Sequence, residues 1–244
     1  MRLANVFIRS LAVQGAWNFE RMVGVGIAHM SEPLLRDLPG GESGEAYGDA
    51  LRRSASFFNT HPYLSGLAAA ALARAEIEGV ERDEIEKLRK TLVGPLGSIG
   101  DRLIWIGALP IAAAVAIALA TLWPPALVPL VFMLLYNAAH FGMRIWGLRA
   151  GWENGIRVAR ALSSRGLKVL ARTAGPLAGI SVGFALPVSA EWLFRGWESL
   201  DVVGALLVMA LGVTLVGWVF DRLDGLKFGV GAIGVVWMLG VLML

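Results

Sequence analysis

Long apolar runs separated by short polar connections dominate the second half of the chain. Five stretches of about 20 residues are rich in Leu, Val, Ala and Gly and contain few charged side chains. They are residues 103–122, 124–143, 174–193, 202–220 and 226–244. A hydrocarbon core roughly 30 Å thick requires about 20 helical residues to cross it. The pattern therefore predicts about five transmembrane helices in residues 103–244.

The first hundred residues have a different pattern. Up to Arg102 the acidic and basic residues are abundant and nearly balanced, and apolar positions recur at helical spacing. Residues 80–92 illustrate this, because Val80, Ile85, Leu88 and Leu92 fall on one side of a helix whose charged side faces solvent. We expect an all-α integral membrane protein with two regions, an N-terminal helical region over 1–102 with amphipathic and re-entrant segments and a transmembrane helical region over 103–244.

The segment from Ser10 to Met30 is apolar overall yet carries several polar groups. On a helix, one stripe would hold Ser10, Gln14, Asn18 and Arg21, whereas Glu20 would lie on the opposite side among apolar neighbours. A lone buried carboxylate is costly in lipid. The pattern predicts that Glu20 is paired, or that this segment packs against protein or a water-filled cavity.

Composition agrees with a lipid environment and excludes several chemistries. Hydrophobic residues make up 56% of the chain and charged residues 17%, and the mean hydropathy is +0.63. The absence of cysteine excludes disulfides, thiolate metal sites and a cysteine phospho-carrier. The net charge of +3 arises from basic residues beside apolar segments, which indicates membrane topology and no nucleic-acid partner.

The connection over residues 144–172 predicts the orientation. It holds a single acid, Glu153, against seven basic residues: Arg144, Arg149, Arg157, Arg160, Arg165, Lys168 and Arg172. Basic connections between membrane spans face the cytoplasm. Counting outward from this connection places the N-terminus in the cytoplasm and the C-terminus outside.

Three blocks of the N-terminal region resemble a known family. They are Phe7 to Ser10 continuing through Gln14–Met22, then Phe57–Pro62, then Gly94–Asp101. Their residues, order and spacing are similar to those of the IID components of the mannose/fructose/sorbose-class phosphotransferase system. One block would be weak, but three uncommon blocks in order make chance similarity improbable.

The resemblance implies a role in bacterial sugar uptake. A IID subunit pairs with a IIC subunit in the cytoplasmic (inner) membrane, and the hetero-oligomer binds and translocates a hexose that a IIB protein phosphorylates. The phosphate passes from phosphoenolpyruvate through general carriers to histidines on IIA and IIB. The resemblance therefore implies no catalytic residue, cofactor or metal on this chain.

Sugars are bound by planar amides, carboxylates and stacked aromatic rings, and the three blocks supply such groups. The candidate substrate-binding residues are Trp17, Asn18, Glu20, Arg21, Phe58, Asn59, Thr60, His61 and Asp101. The candidate structural positions of the motifs are Pro62, Gly94, Pro95, Leu96 and Gly100. His140 and Glu191, each inside or near the end of an apolar stretch, could also line a pathway.

Several of these residues also have local structural interpretations. Asn59 or Thr60 could cap a helix that begins at Pro62 and continues through the small residues from Leu67 to Ala73, which suit close packing. Asp101 could cap the helix over 103–122, or it could lie in a re-entrant bend beside a polar cavity at the membrane edge.

Two other functions are compatible with the sequence. The chain could be a non-transporting membrane anchor or regulator for phospho-carriers. It could also be an intramembrane enzyme using Glu20, His29, His61, Asp101 and His140 as metal ligands or acid–base groups, although no pair has the spacing of a zinc-binding helix.

Overall fold

The computed structural model describes residues 2–120 and 122–193, and this part of the chain is helical. Its α-helices are α1 (Arg2–Ser10), α2 (Gly24–Leu35), α3 (Glu45–Ser54), α4 (Ser65–Ile77), α5 (Arg82–Leu103), α6 (Leu109–Leu119), α7 (Val128–Asn154), α8 (Ala159–Leu162) and α9 (Arg165–Leu193). The predicted spans 202–220 and 226–244 and the side chain of Glu191 lie outside the described residues.

Two continuous helical segments are long and apolar enough to cross a membrane. Arg82–Leu119 joins α5 to α6 through a π-helical turn at Ile104–Ala108, and Val128–Arg157 contains α7. They include most of the first two predicted spans, and the third, 174–193, lies within α9. At about 1.5 Å per residue the first segment is longer than the hydrocarbon core, so the charged start of α5 extends beyond it.

Helix α4 forms the centre of the core. Ala68, Ala69, Ala70 and Ala71 are completely buried, and the glycines of α7 pack closely against this helix at Leu67. A Cβ at Gly151 would lie only 2.3 Å from the Leu67 carbonyl oxygen. The predicted close packing of this small-residue helix is confirmed, and it depends on the missing side chain at Gly151.

The predicted start and cap of that helix are wrong. Helix α4 begins at Ser65, its N-cap is Leu64, and no side chain caps it. Asn59 and Thr60 precede it in an extended turn, which leaves their side chains available for other contacts.

The helix expected over residues 10–30 is interrupted. Helix α1 ends at Ser10, and the chain then turns until α2 begins at Gly24. The Asn18 side chain accepts a hydrogen bond from the Arg21 backbone N–H at 2.9 Å, a local bond that competes with helix formation. Glu20 is exposed on this turn, and its pairing with another group stays a prediction.

Helix α5 continues where a bend was expected. It runs without a break through Gly94 and Pro95 and past Asp101, and the next helical turns follow directly. Asp101 therefore caps no helix, and the re-entrant bend predicted at residues 94–101 is wrong. The expected solvated face is also incomplete, because Arg89 is only 5% exposed.

The basic stretch over 144–172 is mostly helical and is not an open loop. Helix α7 continues to Asn154, and α9 begins at Arg165. Arg149 is exposed near the end of α7, whereas Arg144, one turn earlier, is 5% exposed and packed inside the protein. Counting Arg144 among the solvent-facing charges was therefore wrong.

Candidate sugar-binding site

A polar cavity of about 380 Å³ brings two of the sequence motifs together. It lies between the turn that precedes α4 and one face of α5. The predicted residues that line it are Asn59, Thr60, His61, Pro62, Gly94 and Asp101, together with Val93, Gly97, Ser98 and Trp105. This volume is within the usual range for small-molecule sites, about 300–1,000 Å³.

The glycines of α5 allow the turn and the helix to approach each other. A Cβ at Gly100 would lie 2.2 Å from the His61 Cβ, a distance that two carbon atoms do not tolerate. Gly94 and Gly97 have no such neighbour within 4 Å. Gly100 therefore fixes the contact between the two segments, whereas the other two glycines leave open space in the cavity wall.

His61 presents a neutral ring at the base of this cavity. Its Nδ1 accepts a hydrogen bond from the Tyr63 backbone N–H at 3.2 Å, so the ring proton is assigned to Nε2. The pKa of His61 is lowered to about 4, and burial is the largest cause. The nearby Asp101 carboxylate raises this pKa, whereas Arg144 and His140 lower it further. The ring is thus an uncharged hydrogen-bond donor near neutral pH.

Two buried polar atoms at the cavity have no hydrogen-bond partner in the described part of the chain. They are Thr60 Oγ1 and His61 Nε2. Thr60 is 7% exposed and His61 is 3% exposed. Buried polar groups are nearly always paired, because an unpaired one costs about 1–3 kcal/mol. These atoms are therefore suited to a polar ligand, with the Asn59 amide and the exposed Asp101 carboxylate beside them.

Trp105 is a cavity residue that the sequence analysis did not identify. It follows Asp101 by one helical turn, lines the cavity and is 51% exposed. Its ring centroid lies 5.7 Å from that of His61. In the sequence, a tryptophan within an apolar stretch is typical of a residue at the membrane interface. The path of α5 in the structure is what brings Trp105 beside the polar turn.

The first motif block does not reach the cavity. Trp17 is 45% exposed and packs edge-to-face on Phe19, with ring centroids 4.8 Å apart. Asn18, Glu20 and Arg21 lie on the same surface turn, and none of them lines the cavity. Their role in sugar binding stays a prediction.

Backbone hydrogen bonds nevertheless join the first block to the second. The Phe58 N–H donates to the Arg21 carbonyl at 3.2 Å, and the Val23 N–H donates to the Phe58 carbonyl at 3.1 Å. The Phe58 side chain is completely buried. It offers no ring face to a sugar, so its predicted stacking role is wrong and its role is to anchor the turn.

Arg89 of α5 holds the turn that contains Phe58 through hydrogen bonds to its backbone. Its guanidinium donates to the carbonyls of Ser56 at 2.5 Å and Ser54 at 3.2 Å and lies 5.1 Å from the centroid of the Phe58 ring. The sequence gives no signal for this contact, because an arginine in a charged helix is usually solvated.

A second polar cluster on α7 adjoins the cavity through Tyr63. The ring of His140 stacks on that of Tyr63, with centroids 4.1 Å apart, and the hydroxyls of Tyr63 and Tyr136 are 2.8 Å apart. Arg144 donates to His140 Nε2 at 2.7 Å and to the Ser10 carbonyl. Arg144 thereby connects the end of α1 to α7, and His140 is held as a neutral acceptor.

The acid–base residues considered for an intramembrane enzyme are not gathered at one place. Neither Glu20 nor His29 lines the cavity that contains His61 and Asp101. Among the described residues, no three His, Asp or Glu side chains are arranged to hold a metal ion.

Two relatives with known names are similar in sequence to this chain. The mannose-specific EIID component of Escherichia coli is 33% identical over 180 residues, 72% of this chain and 63% of that protein. The sorbose-specific EIID component of Klebsiella pneumoniae is 30% identical over 239 residues, 95% of this chain and 83% of that one. The part of this chain that matches the Escherichia coli protein thus spans somewhat less than two thirds of that relative's length.

Two solved structures are similar to this chain. A chain of the mannose transporter ManYZ, solved by cryo-EM in complex with a microcin (MceA), has a TM-score of 0.57 and 26% identity. A second structure, described only as a membrane protein, has a TM-score of 0.74 and 26% identity. Each match covers 99% of this chain and 96% of the other. The family model of the PTS system mannose/fructose/sorbose family IID component matches residues 1–189, and the chain belongs to that family.

Proposed function

We propose that this chain is the IID subunit of a sugar permease and acts with a IIC subunit to bind and translocate a hexose during phosphorylation by IIB. The observation that carries the proposal is the cavity beside the Asp101 carboxylate, where Thr60 Oγ1 and His61 Nε2 are buried with no hydrogen-bond partner among the described residues. Relatives named for mannose, sorbose and fructose support a monosaccharide as the substrate.

The groups at the cavity complement the hydroxyls of a sugar. Each hydroxyl both donates and accepts a hydrogen bond. The neutral His61 ring donates through Nε2, the Asp101 carboxylate accepts, and the Thr60 hydroxyl does either. The exposed Trp105 ring supplies the apolar face on which a pyranose ring stacks.

Phosphorylation occurs elsewhere in this scheme. His61 is buried and is held by the Tyr63 backbone within a polar turn. Such a position suits the binding of an uncharged hexose. It does not suit a phosphoryl group, which must be accessible to pass between proteins. The phosphate is carried by the IIA and IIB partners, and this chain contributes binding and translocation within a hetero-oligomer.

The proposed topology has five membrane crossings. The basic residues at 144–172 lie on the cytoplasmic side, which places the N-terminus inside and the C-terminus outside. Reporter fusions at Ser163 and Leu244 test this arrangement. A cytoplasmic reporter is expected to be active at Ser163 and inactive at Leu244, and activity at Leu244 would contradict the topology.

Reconstituted transport tests the function. Vesicles that contain this chain and its IIC partner, supplied with phosphorylated IIB, are expected to take up and phosphorylate a labelled hexose, and vesicles with IIC alone are not. Uptake that is unchanged without this chain would reject the proposal. Recruitment of IIB to the vesicles without any sugar uptake would identify a membrane anchor instead.

A further inference from the structure

Two adjoining cavities on the side of α7 form one slot with an apolar part and a polar part. The apolar groove has a volume of about 560 Å³ and lies between α5–α6, α7 and α9. The polar cavity has a volume of about 480 Å³ and lies beside the last turns of α7. Both are lined by Gly142, Trp146 and Ser164, so a single ligand can occupy the two together.

The apolar groove is suited to a hydrocarbon chain. Leu103, Ile111, Leu167 and Leu170 contribute to its walls, and Ser164 is the polar residue among those that line it. No atom of the described residues lies within 4 Å of where a Cβ at Gly142 would be. The groove is therefore open at the position where it meets the polar cavity.

The polar cavity is suited to an anion. Arg149 lines it and is exposed, and Glu153 and Asn154 line it as well. Arg149 forms no ion pair with any described residue, Glu153 included, whereas Arg53 and Arg9 are paired with Glu76 and Glu32.

The surroundings of this cavity add to its positive charge. Further exposed basic residues of the same stretch are Arg157, Arg160, Arg165, Lys168 and Arg172. None of them forms an ion pair in the described part of the chain. The stretch around the mouth of the slot thus carries an excess of positive charge, with Glu153 as its single acid.

We propose that the slot binds an anionic phospholipid of the bilayer. One acyl chain lies in the apolar groove, the phosphate lies against Arg149, and Trp146 marks the boundary between them. Basic pockets between transmembrane helices on the cytoplasmic side bind anionic headgroups, and tryptophan is enriched at that depth. This part of the inference rests on the proposed topology, in which the mouth lies in the cytoplasmic leaflet.

Lipid retention tests this site in the full chain purified in detergent. Native mass spectrometry is expected to show one bound phosphatidylglycerol retained in preference to phosphatidylcholine. Arg149→Gln is expected to reduce phosphatidylglycerol binding by about fivefold, the effect of one basic contact near a headgroup. Gly142→Leu is expected to abolish binding of both lipids, since its side chain would project into the opening that the two cavities share.

Arg172→Gln is the matched control, because it removes the same charge from the same basic stretch but lines neither cavity. It is expected to leave phosphatidylglycerol binding within about twofold of the wild type. Equal loss in both charge variants would show a diffuse attraction and overturn the proposal. Equal affinity for the two lipids, or full binding by Gly142→Leu, would also overturn it.

Discussion

The absent side chain of Gly100 sets the position of His61. A Cβ at residue 100 would be 2.2 Å from the His61 Cβ and 2.4 Å from its Cγ. Because both contacts involve the rigid base of the imidazole side chain, a small rotation cannot relieve them. The turn before α4 and the cavity wall on α5 are therefore held at a separation that only glycine permits.

Gly100→Ala is expected to destabilise the protein. Overpacking of this kind costs about 1–3 kcal/mol, and the better helix propensity of alanine offsets at most about 1 kcal/mol of it. Thermal unfolding in detergent measures the effect. Gly94→Ala is the control, because it lies on the same helix with no neighbour within 4 Å. A variant at Gly100 as stable as the one at Gly94 would contradict the close contact.

The lowered pKa of His61 should make the stability of the folded protein depend on pH. Burial, the largest cause, lowers the pKa of His61 from 6.5 to about 4, so the unfolded chain binds a proton more readily than the folded one between these values. The contribution of His61 is fully present above pH 6.5 and is lost as the pH falls toward 4. The free energy of unfolding of His61→Gln should therefore fall less over this interval than that of the wild type. Parallel curves would show that His61 is not buried in its neutral form.

The sequence predicted the helical class and the small-residue helix. Of the nine residues that it proposed for sugar binding, Asn59, Thr60, His61 and Asp101 line one cavity, and their role in binding stays a prediction. The sequence did not predict the path of the chain at Gly94-Pro95, because glycine and proline locally favour a helix boundary. In the structure, α5 continues through them, since Leu92 and Leu96 on either side are buried in the core. Packing outweighed the local preference there.

Charge patterns were least informative where an arginine is buried. Arg144 was assigned to a loop, yet it binds the Ser10 carbonyl, 134 positions away in the chain. Arg89 was assigned to a solvated face, yet it supports the turn at Ser56. Such contacts depend on which distant backbone carbonyls are brought near, and no pattern along the sequence contains that information.

Arg144→Met is expected to weaken the connection between α1 and α7. It removes two hydrogen bonds from a charged group, each worth about 1.5–3 kcal/mol, and leaves the Ser10 carbonyl without this donor. Hydrogen exchange of residues 2–22 should increase more than that of α4. Arg157→Met is the matched control at an exposed arginine. Equal hydrogen exchange of residues 2–22 in the two variants would show that Arg144 does not connect α1 to α7.

Trp105 is expected to contribute to sugar affinity through its exposed ring. Trp105→Ala should weaken hexose binding by about two- to twelvefold, the range that corresponds to an aromatic contact of about 0.5–1.5 kcal/mol. Trp105→Phe, which keeps a flat ring, should recover most of that loss. Trp123→Ala removes another exposed tryptophan that does not line the cavity, and it should leave the affinity unchanged. Equal effects at the two positions would rule out stacking at the cavity.

Hexose binding by the complex with IIC, measured for Asp101→Asn and Thr60→Val, tests the central claim most directly. Both residues line the cavity, and both substitutions keep the shape of the side chain while removing a charge or a hydroxyl. We expect each to weaken binding at least about tenfold, which corresponds to one lost hydrogen bond of about 1.4 kcal/mol, with little change in thermal unfolding. Asp83→Asn, at the exposed start of the same helix, should bind as the wild type does. Wild-type affinity in both cavity variants would contradict the assignment of this cavity as the sugar site.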